Sequence, residues 1–347
     1  MANDTMTNST YASSGVSITE ATRAVDLMKA AVRSTHGPEV LAGIGAFGGM
    51  FDASALKQMQ SPVLVASTDG VGTKTKVAAQ MGRWDTVGQD LVNHCINDIL
   101  VQGARPLFFM DYVAAAKLDA VQVATVVNGM ALACKQNGCA LLGGETAEMP
   151  GVYVDGEIDV AGTIVGVVDR AQMLDGSRVQ AGDVILALPS TGLHTNGFSL
   201  ARKVLGALDW DKPYEQLGGT IGEALLATHR SYLPAYDYLI QAGVDIHGMA
   251  HITGGGLPDN FNRILRNDLA GVFHKRTWPV LPIFEMIQEL GHVSENEMLH
   301  VFNMGIGMCV VLDKAQAVIA QKALSESCSV GEIVQRVDGK TQVQIID

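Results

Sequence analysis

The residues best equipped for chemistry begin with Asp69, in the stretch Thr68-Asp69-Gly70-Val71-Gly72-Thr73-Lys74. Two glycines let backbone amides approach an anion, a following helix favours negative charge at its N-terminus, and the lysine adds a point charge. With an acid and a base flanking the glycines, the stretch fits a metal–phosphate pair; a tight turn capping a helix is the plain alternative. The Gly-x-x-x-x-Gly-Lys spacing is absent, so this is not a Walker loop. Asp90, Asn97 and Asp98 follow, and the heptad spacing of Asp90 and Asn97 brings them near one helix face. Oxygen donors of this type suit Mg²⁺ better than a transition metal. Among Leu91, Ile96, Ile99 and Leu100 such groups need a counter-ion, unless they form a solvated face.

Further on, Gly143-Gly144-Glu145-Thr146-Ala147-Glu148 sets two carboxylates beside glycines, able to hold metal or act as acid and base if their environments differ. A structural turn is the competing reading. In the second half, Ser190 to Gly197 carries His194 and Asn196. The run His251-Ile252-Thr253-Gly254-Gly255-Gly256 leads into Asp259, Asn260 and Arg263. Three successive glycines cost chain entropy unless backbone must meet something closely. A phosphate is the natural candidate, with Arg263 as its forked partner. Phe302 to Met308 reads equally as a ligand loop or a bulged core strand. Gly43 to Gly49, which includes Gly45, Phe47 and Gly48, is a lid or a loose connection. The histidines at 36, 94, 229, 247, 274, 292 and 300 show no metal-type spacing and read as structural or surface residues.

An alternation of strands and helices must position these groups. Pro62 to Ser67, Leu107 to Val113, Cys139 to Leu142 and Ile158 to Val168 read as strands. Helices fall over Gln89 to Gln102 and Leu118 to Gln136. The first half is therefore α/β. Turn signals from Asp169 to Gly182 divide the chain into domains at 1–170 and 171–347. In the second, strands are expected at Val184 to Leu188, Ile246 to Ile252 and Val301 to Leu312. Helices are expected at Glu223 to Ala227, Ser231 to Ala242, Leu257 to Leu265 and Pro282 to Leu290. The tail, Gly331 to Ile346, reads as two strands joined at Asp338-Gly339.

Composition narrows the class. The 347 residues are 48% hydrophobic with 38 glycines, enough for two cores and several ligand loops. A net charge of −12 without a basic cluster argues against nucleic acid. No apolar run reaches the roughly 18–20 residues of a membrane span. The polar start, Met1 to Thr10, lacks signal-peptide character and reads as a disordered lead-in. Five cysteines without a Cys-x-x-Cys pair fit neither a zinc nor a disulfide framework. A reduced, cytoplasmic protein is expected.

Taken in order, these motifs resemble the phosphoribosylformylglycinamidine cyclo-ligase family. The resemblance runs from Tyr11 to about Met308. It rests on Ser14-Gly15-Val16, Gly43 to Phe51, Thr68 to Lys74, Asn97-Asp98 through Gly103-Ala104-Arg105-Pro106, Leu107 to Tyr112, Gly143 to Gly151, Ser190 to Leu200, His251 to Gly256 and Phe302 to Met308. The Asp98 to Pro106 pattern is similar to that of a wider ATP-binding superfamily, which includes selenophosphate synthetase, thiamine-phosphate kinase and a hydrogenase maturation protein. Departures are Ser17 in place of an acid, Asn93-His94 before Cys95, Thr195 in place of serine, and the missing proline before Thr228.

The resemblance implies ATP- and Mg²⁺-dependent closure of formylglycinamidine ribonucleotide to 5-aminoimidazole ribonucleotide. It also implies a homodimer whose N-terminal mixed sheets pair into a barrel, each completed by a C-terminal α/β domain. By the same resemblance, Lys29, Gly45, Phe47, Gly48, Thr68, Asp69, Gly70, Gly72, Thr73, Lys74 and Asp98 bind nucleotide. Asp69, Asp90, Asn97 and Asp98 hold metal. His194, Asn196, Thr253, Gly254, Gly255, Gly256, Asn260 and Arg263 bind substrate, and Lys74, Glu145, His194 and His251 act in catalysis. A kinase-like relative and a non-catalytic nucleotide-binding protein are the rival readings.

Overall fold

The computed structural model describes residues 17–42 and 44–347. Ser14-Gly15-Val16, Gly43 and the polar lead-in lie outside the described residues. The first half runs α1 (Ile18–Arg33), β1 (Pro62–Gly70), α2 (Lys74–Met81), α3 (Val87–Leu100), β2 (Arg105–Ala115), α4 (Ala120–Gln136), β3 (Ala140–Glu148) and β4 (Ile158–Asp169). Its four strands lie in the order β1-β4-β2-β3, with β4 antiparallel to both neighbours and β2 parallel to β3.

Strand alternation divides this sheet into two unlike faces. Val65, Phe109, Ile164 and Val168 point to a buried face, covered by α3 and α4. Leu64, Phe108, Met110, Val165 and Val167 share the opposite face, which stays partly open to solvent. Asp119 caps α4 by accepting from the amides of Val121 and Gln122 at 2.9 Å each. Gly88 lets α3 press on α4, since a Cβ there would lie 1.9 Å from the Val126 carbonyl.

The second half begins with β5 (Val184–Pro189), α5 (Phe198–Leu205), the short pair β6 (Pro213–Tyr214) and β7 (Gly219–Thr220), α6 (Ile221–Leu226) and α7 (Leu233–Gln241). It continues with β8 (Gly248–His251), α8 (Gly256–Phe261), β9 (Leu269–His274), α9 (Pro282–Gly291), α10 (Glu295–Val301), β10 (Ile306–Leu312), α11 (Lys314–Ala323), β11 (Cys328–Gln335) and β12 (Val343–Ile346). Six of its strands form one sheet in the order β12-β9-β11-β5-β10-β8. One apolar core runs without a break from Val92 and Ile96 of α3 to Leu193, Tyr232 and Leu233. A second fills the other side of the larger sheet, around Phe261, Phe273 and Ile333.

Several sequence expectations need correction. The stretch Val301 to Leu312 is not one strand: Ser294 caps α10, whose last residue is Val301, and β10 starts only at Ile306. The tail strands do not form a hairpin, because β9 lies between β11 and β12. The strand expected at Cys139 to Leu142 runs on through Gly143-Gly144-Glu145 to Glu148, held by parallel pairing with β2. The helices α1, α10 and α11 and the strand β9 were not anticipated.

Candidate active site

The two halves meet along α3, whose buried polar side chains are directed at the segment between α6 and α7. Lys74 and Asp90 are fully buried, with Nζ 2.8 Å from Oδ2. Lys74 also donates to the Ala227 carbonyl at 2.8 Å, and Asp90 Oδ1 accepts from the His229 amide at 2.7 Å. Asn97 donates to the Arg230 carbonyl at 2.8 Å and accepts from the Tyr232 amide at 2.9 Å. Burial pushes the Asp90 carboxyl up to about 6, against the pull of Lys74, and pushes the Lys74 ammonium down. This overturns three expected roles. Lys74 does not face a phosphate, and Asp90 and Asn97 do not face a metal, because each is used in clamping residues 227–232.

Above the clamp opens a cleft of ≈ 700 Å³. From the first half come Ser67, Asp69, His94 and Asp98; from the second, Asn196, His251, Thr253, Gly254, Asn260 and Arg263. Asp69 ends the buried face of β1, and its Oδ2 lies 2.8 Å from His94 Nε2. Asp98 accepts from Ser67 Oγ at 3.0 Å, and its Oδ1 lies 2.9 Å from His251 Nδ1. Its Oδ2 is 3.6 Å from His94 Nε2.

Behind these groups stand two more imidazoles. His229 Nε2 is 3.1 Å from His251 Nε2 and 3.2 Å from Asn97 Nδ2. His194, at φ 62°, stacks on His229 with centroids 3.9 Å apart, and its Nε2 accepts from the Thr191 amide at 3.2 Å. Thr195 Oγ1 lies 2.6 Å from His94 Nδ1 and 3.4 Å from His229 Nδ1.

The electrostatics sort these groups into two kinds. Burial alone would raise both cleft carboxyls, but the bond and charge of His94 hold Asp69 below its ordinary value, and those of His251, with His94, do the same for Asp98. Burial would lower His94, yet Asp69 and Asp98 outweigh it and raise the ring. For His251 burial wins over Asp98, and His194 and His229 fall well below the usual imidazole range through burial and their histidine neighbours. The cleft therefore combines two ionised carboxylates with a His94 ring biased toward its charged form, backed by the neutral imidazoles of His194, His229 and His251.

Other expected residues stand elsewhere. Thr68 and Glu145 point to the open face of the four-stranded sheet, since pairing puts each in register with Thr163 or Tyr112 on that side. His194 is 1% exposed and does not line the cleft. Asn260 borders the cleft but donates to the carbonyls of Gly254 and Gly256 at 3.1 and 2.8 Å, so its amide braces the turn. Gly256 answers to packing, because a Cβ there would sit 1.8 Å from the Leu299 carbonyl, and Gly255 takes φ 93°. Gly72 and Thr73 are exposed ahead of α2, with Thr73 Oγ1 3.2 Å from Ser199 Oγ. Lys29 is half-buried on α1, and Gly45, Phe47 and Gly48 are exposed. Asn303 settles the Phe302 to Met308 segment as structural: its amide joins Ser190, Gly192 and Gly305 at 2.9–3.0 Å.

Sequence reasoning missed His94 and His229. His94 had a local signal, since it stands four residues before Asp98 on the same helical face. His229 had none.

Comparison with known proteins agrees with this two-part architecture. The family model for the AIR synthase related protein, N-terminal domain, matches residues 51–168, and that for the C-terminal domain matches residues 180–344. Among solved structures, thiamine-monophosphate kinase from Stenotrophomonas maltophilia K279a superposes with a TM-score of 0.65 at 18% identity, covering 93% of this chain and 95% of that one. The hydrogenase maturation protein HypE in complex with ATP gives a TM-score of 0.64 at 18% identity over 94% and 90%. At that distance the likeness is one of fold.

Sequence relatives are much nearer. The phosphoribosylformylglycinamidine cyclo-ligase of Desulfitobacterium hafniense (strain DSM 10664 / DCB-2) is 50% identical over 333 residues, 95% of this chain and 98% of the relative. That of Cupriavidus taiwanensis is 46% identical over 97% and 96%. With both domain models matched in order and half the residues shared across nearly the full length, the chain belongs to the phosphoribosylformylglycinamidine cyclo-ligase family.

Proposed function

We propose that the cleft between the two halves is where the family's ring closure is carried out. The chain is a cyclo-ligase of purine biosynthesis, turning formylglycinamidine ribonucleotide into 5-aminoimidazole ribonucleotide. The observation that carries the site assignment is the meeting of Asp69 and Asp98 from one half with Asn196, His251, Thr253 and Arg263 from the other around one cavity.

The formyl amide oxygen is a poor leaving group, so ATP supplies the activation. Its γ-phosphoryl passes to that oxygen, giving an iminophosphate and ADP. The amidine nitrogen then attacks the same carbon, the C–O bond breaks, and phosphate leaves with the oxygen. Positioning and charge neutralisation account for most of the rate. Asp69 and Asp98 are partly open carboxylates of the type that takes Mg²⁺ alongside nucleotide phosphates. A bound Mg²⁺ would supply charge neutralisation there. Asn196, Thr253, Gly254 and Arg263 hold the ribonucleotide, and His251 moves the proton released on closure. Gly70, Gly72, Thr73, Lys29, Gly45, Phe47 and Gly48 belong to the nucleotide side on the strength of the family resemblance. The same resemblance supports a cytoplasmic setting, and no helix among the described residues is long and apolar enough to cross a membrane. Residues 1–170 form the nucleotide and dimer domain, and residues 171–347 complete the substrate site. The half-open apolar face with Leu64 and Met110 supports a homodimer closed through that sheet.

The test is ADP release by the purified protein with Mg-ATP and formylglycinamidine ribonucleotide, followed together with a colorimetric assay for the aminoimidazole. Equal amounts of both products are expected. ADP without imidazole would put the chain with the kinases of its fold.

A further inference from the structure

The second half carries a cavity of ≈ 730 Å³, as large as the cleft, that ring closure does not use. It is bounded by the turn after β9, by α9 and α10, and by the end of β12. Trp278, Val280, Leu299, Met304 and Ile345 give it an apolar lining. Trp278 is buried and donates from Nε1 to the Met304 carbonyl at 3.0 Å, which fixes the indole. Of the four non-glycine residues with positive φ among the described residues, two line this cavity: Arg276 at 65° and Met304 at 49°. Strain of that kind is concentrated where ligands are clamped. The charges around the lining are unevenly matched. Lys275 Nζ is shared between Glu295 Oε1 at 2.8 Å and Asp347 Oδ1 at 3.7 Å. Arg276 and Glu285 form no ion pair among the described residues, so one cation and one anion stand unanswered beside an apolar lining.

We propose that this cavity is an effector site for a free α-amino acid with an apolar side chain. The fork of Arg276 suits the carboxylate, and Glu285 suits the ammonium group. Trp278, Leu299 and Met304 offer the side chain an indole, a branched alkyl group and a thioether. A ligand with a single charge would leave Arg276 or Glu285 unanswered, and an uncharged one would leave both. Cavities of roughly 300–1,000 Å³ are those that enclose small molecules. Two walls of the cavity also back the cleft. Leu299 lines the cavity, and its carbonyl would be 1.8 Å from a Cβ on Gly256. Met304 adjoins Asn303, which donates to the Gly192 carbonyl at 2.9 Å and accepts from Ser190 Oγ at 3.0 Å. An occupant that displaces α10 or Met304 thus moves the supports of the two loops that carry Gly254 and Asn196. The coupling rests on the ribonucleotide assignment of those loops; the binding does not.

Binding is measured by isothermal titration calorimetry on the full-length protein, without nucleotide, using L-phenylalanine, L-leucine and L-methionine as probes. A dissociation constant on the order of 1 mM or below is expected. N-acetyl-L-phenylalanine, which lacks the cation, and phenethylamine, which lacks the carboxylate, should each bind at least about 10-fold more weakly. The same loss is expected for L-phenylalanine with Glu285→Gln and with Arg276→Asn, asparagine being tolerant of a left-handed backbone. Failure of all three probes to bind at millimolar concentration would overturn the site, as would equal binding by either analogue or to either variant. In the ring-closure assay, saturating L-phenylalanine should raise KM for the ribonucleotide about five-fold or more. Arg276→Asn should lose that response while its turnover without amino acid matches the parent. Binding with an unchanged KM would overturn the effector role. If the chain closes no ring, the calorimetry still decides the site.

Discussion

Lys74 Nζ and Asp90 Oδ2 lie 2.8 Å apart with neither side chain reaching solvent. A buried pair of this kind is costly to break and cheap to replace whole. Lys74→Met should therefore destabilise the protein by about 3–5 kcal/mol, while Lys74→Met with Asp90→Leu recovers most of the loss. The single variant leaves Asp90 without its counter-charge and so raises the carboxyl further above 3.8. A raised carboxyl adds stability that is complete below the unfolded value and is lost as pH rises through the folded one. The penalty should thus be smaller at pH 5 than at pH 8. Urea unfolding at the two pH values measures both effects.

The cleft carboxylates should behave oppositely, mattering for turnover and little for folding. Asp69→Asn and Asp98→Asn are expected to lower kcat by about 10²–10³-fold, the scale of losing one electrostatic contact to a transition state. Thermal melting should stay close to that of the parent. Normal turnover in both variants would remove these residues from the nucleotide side.

Arg263 is exposed at the cleft mouth, with Nε donating to the Asp259 carbonyl at 3.2 Å and the rest of the fork open to the cleft. Arg263→Ala should raise KM for the ribonucleotide about ten-fold or more, the value of a charged hydrogen bond. KM for ATP should barely move. Steady-state kinetics with each substrate varied in turn decides between this and a merely structural arginine.

Leu64 is 62% exposed in the single chain, so Leu64→Asp should leave monomer stability almost unchanged. If the open face joins two copies, the same change must split the dimer. Sedimentation velocity of parent and variant is the check, and an unaltered dimer would move the interface elsewhere.

How far the sequence could be read depended on the range of the interaction involved. The strands at β1, β2 and β4 were legible because runs such as Pro62 to Ser67 and Ile158 to Val168 are short, apolar and rich in β-branched residues. Asp69 and Asp98 were legible because each is tied to a local motif. Lys74 was misread because the chain turn at Gly72 fixes where the helix starts but not which way its first side chain faces; tertiary packing turned it inward to Asp90. Glu145 was misread because a loop was assumed where parallel pairing with β2 extends β3, and strand alternation then sent it to the far face. His229 comes to stand behind the cleft through contacts with α3, β8 and His194, which no spacing rule relates to it. The tail failed for a similar reason: β12 pairs with β9, and nothing near Asp338-Gly339 announces that partner.

The clamp of Lys74, Asp90 and Asn97 on residues 227–232 also sets how the molecule comes apart. Prising the halves from each other would strand a buried charge pair and leave the carbonyls of Ala227 and Arg230 without donors, while splitting an apolar core common to both. Two sheets that look separable on a topology diagram should thus melt together in a single calorimetric transition. The cleft between them is framed by the same contacts that join the halves.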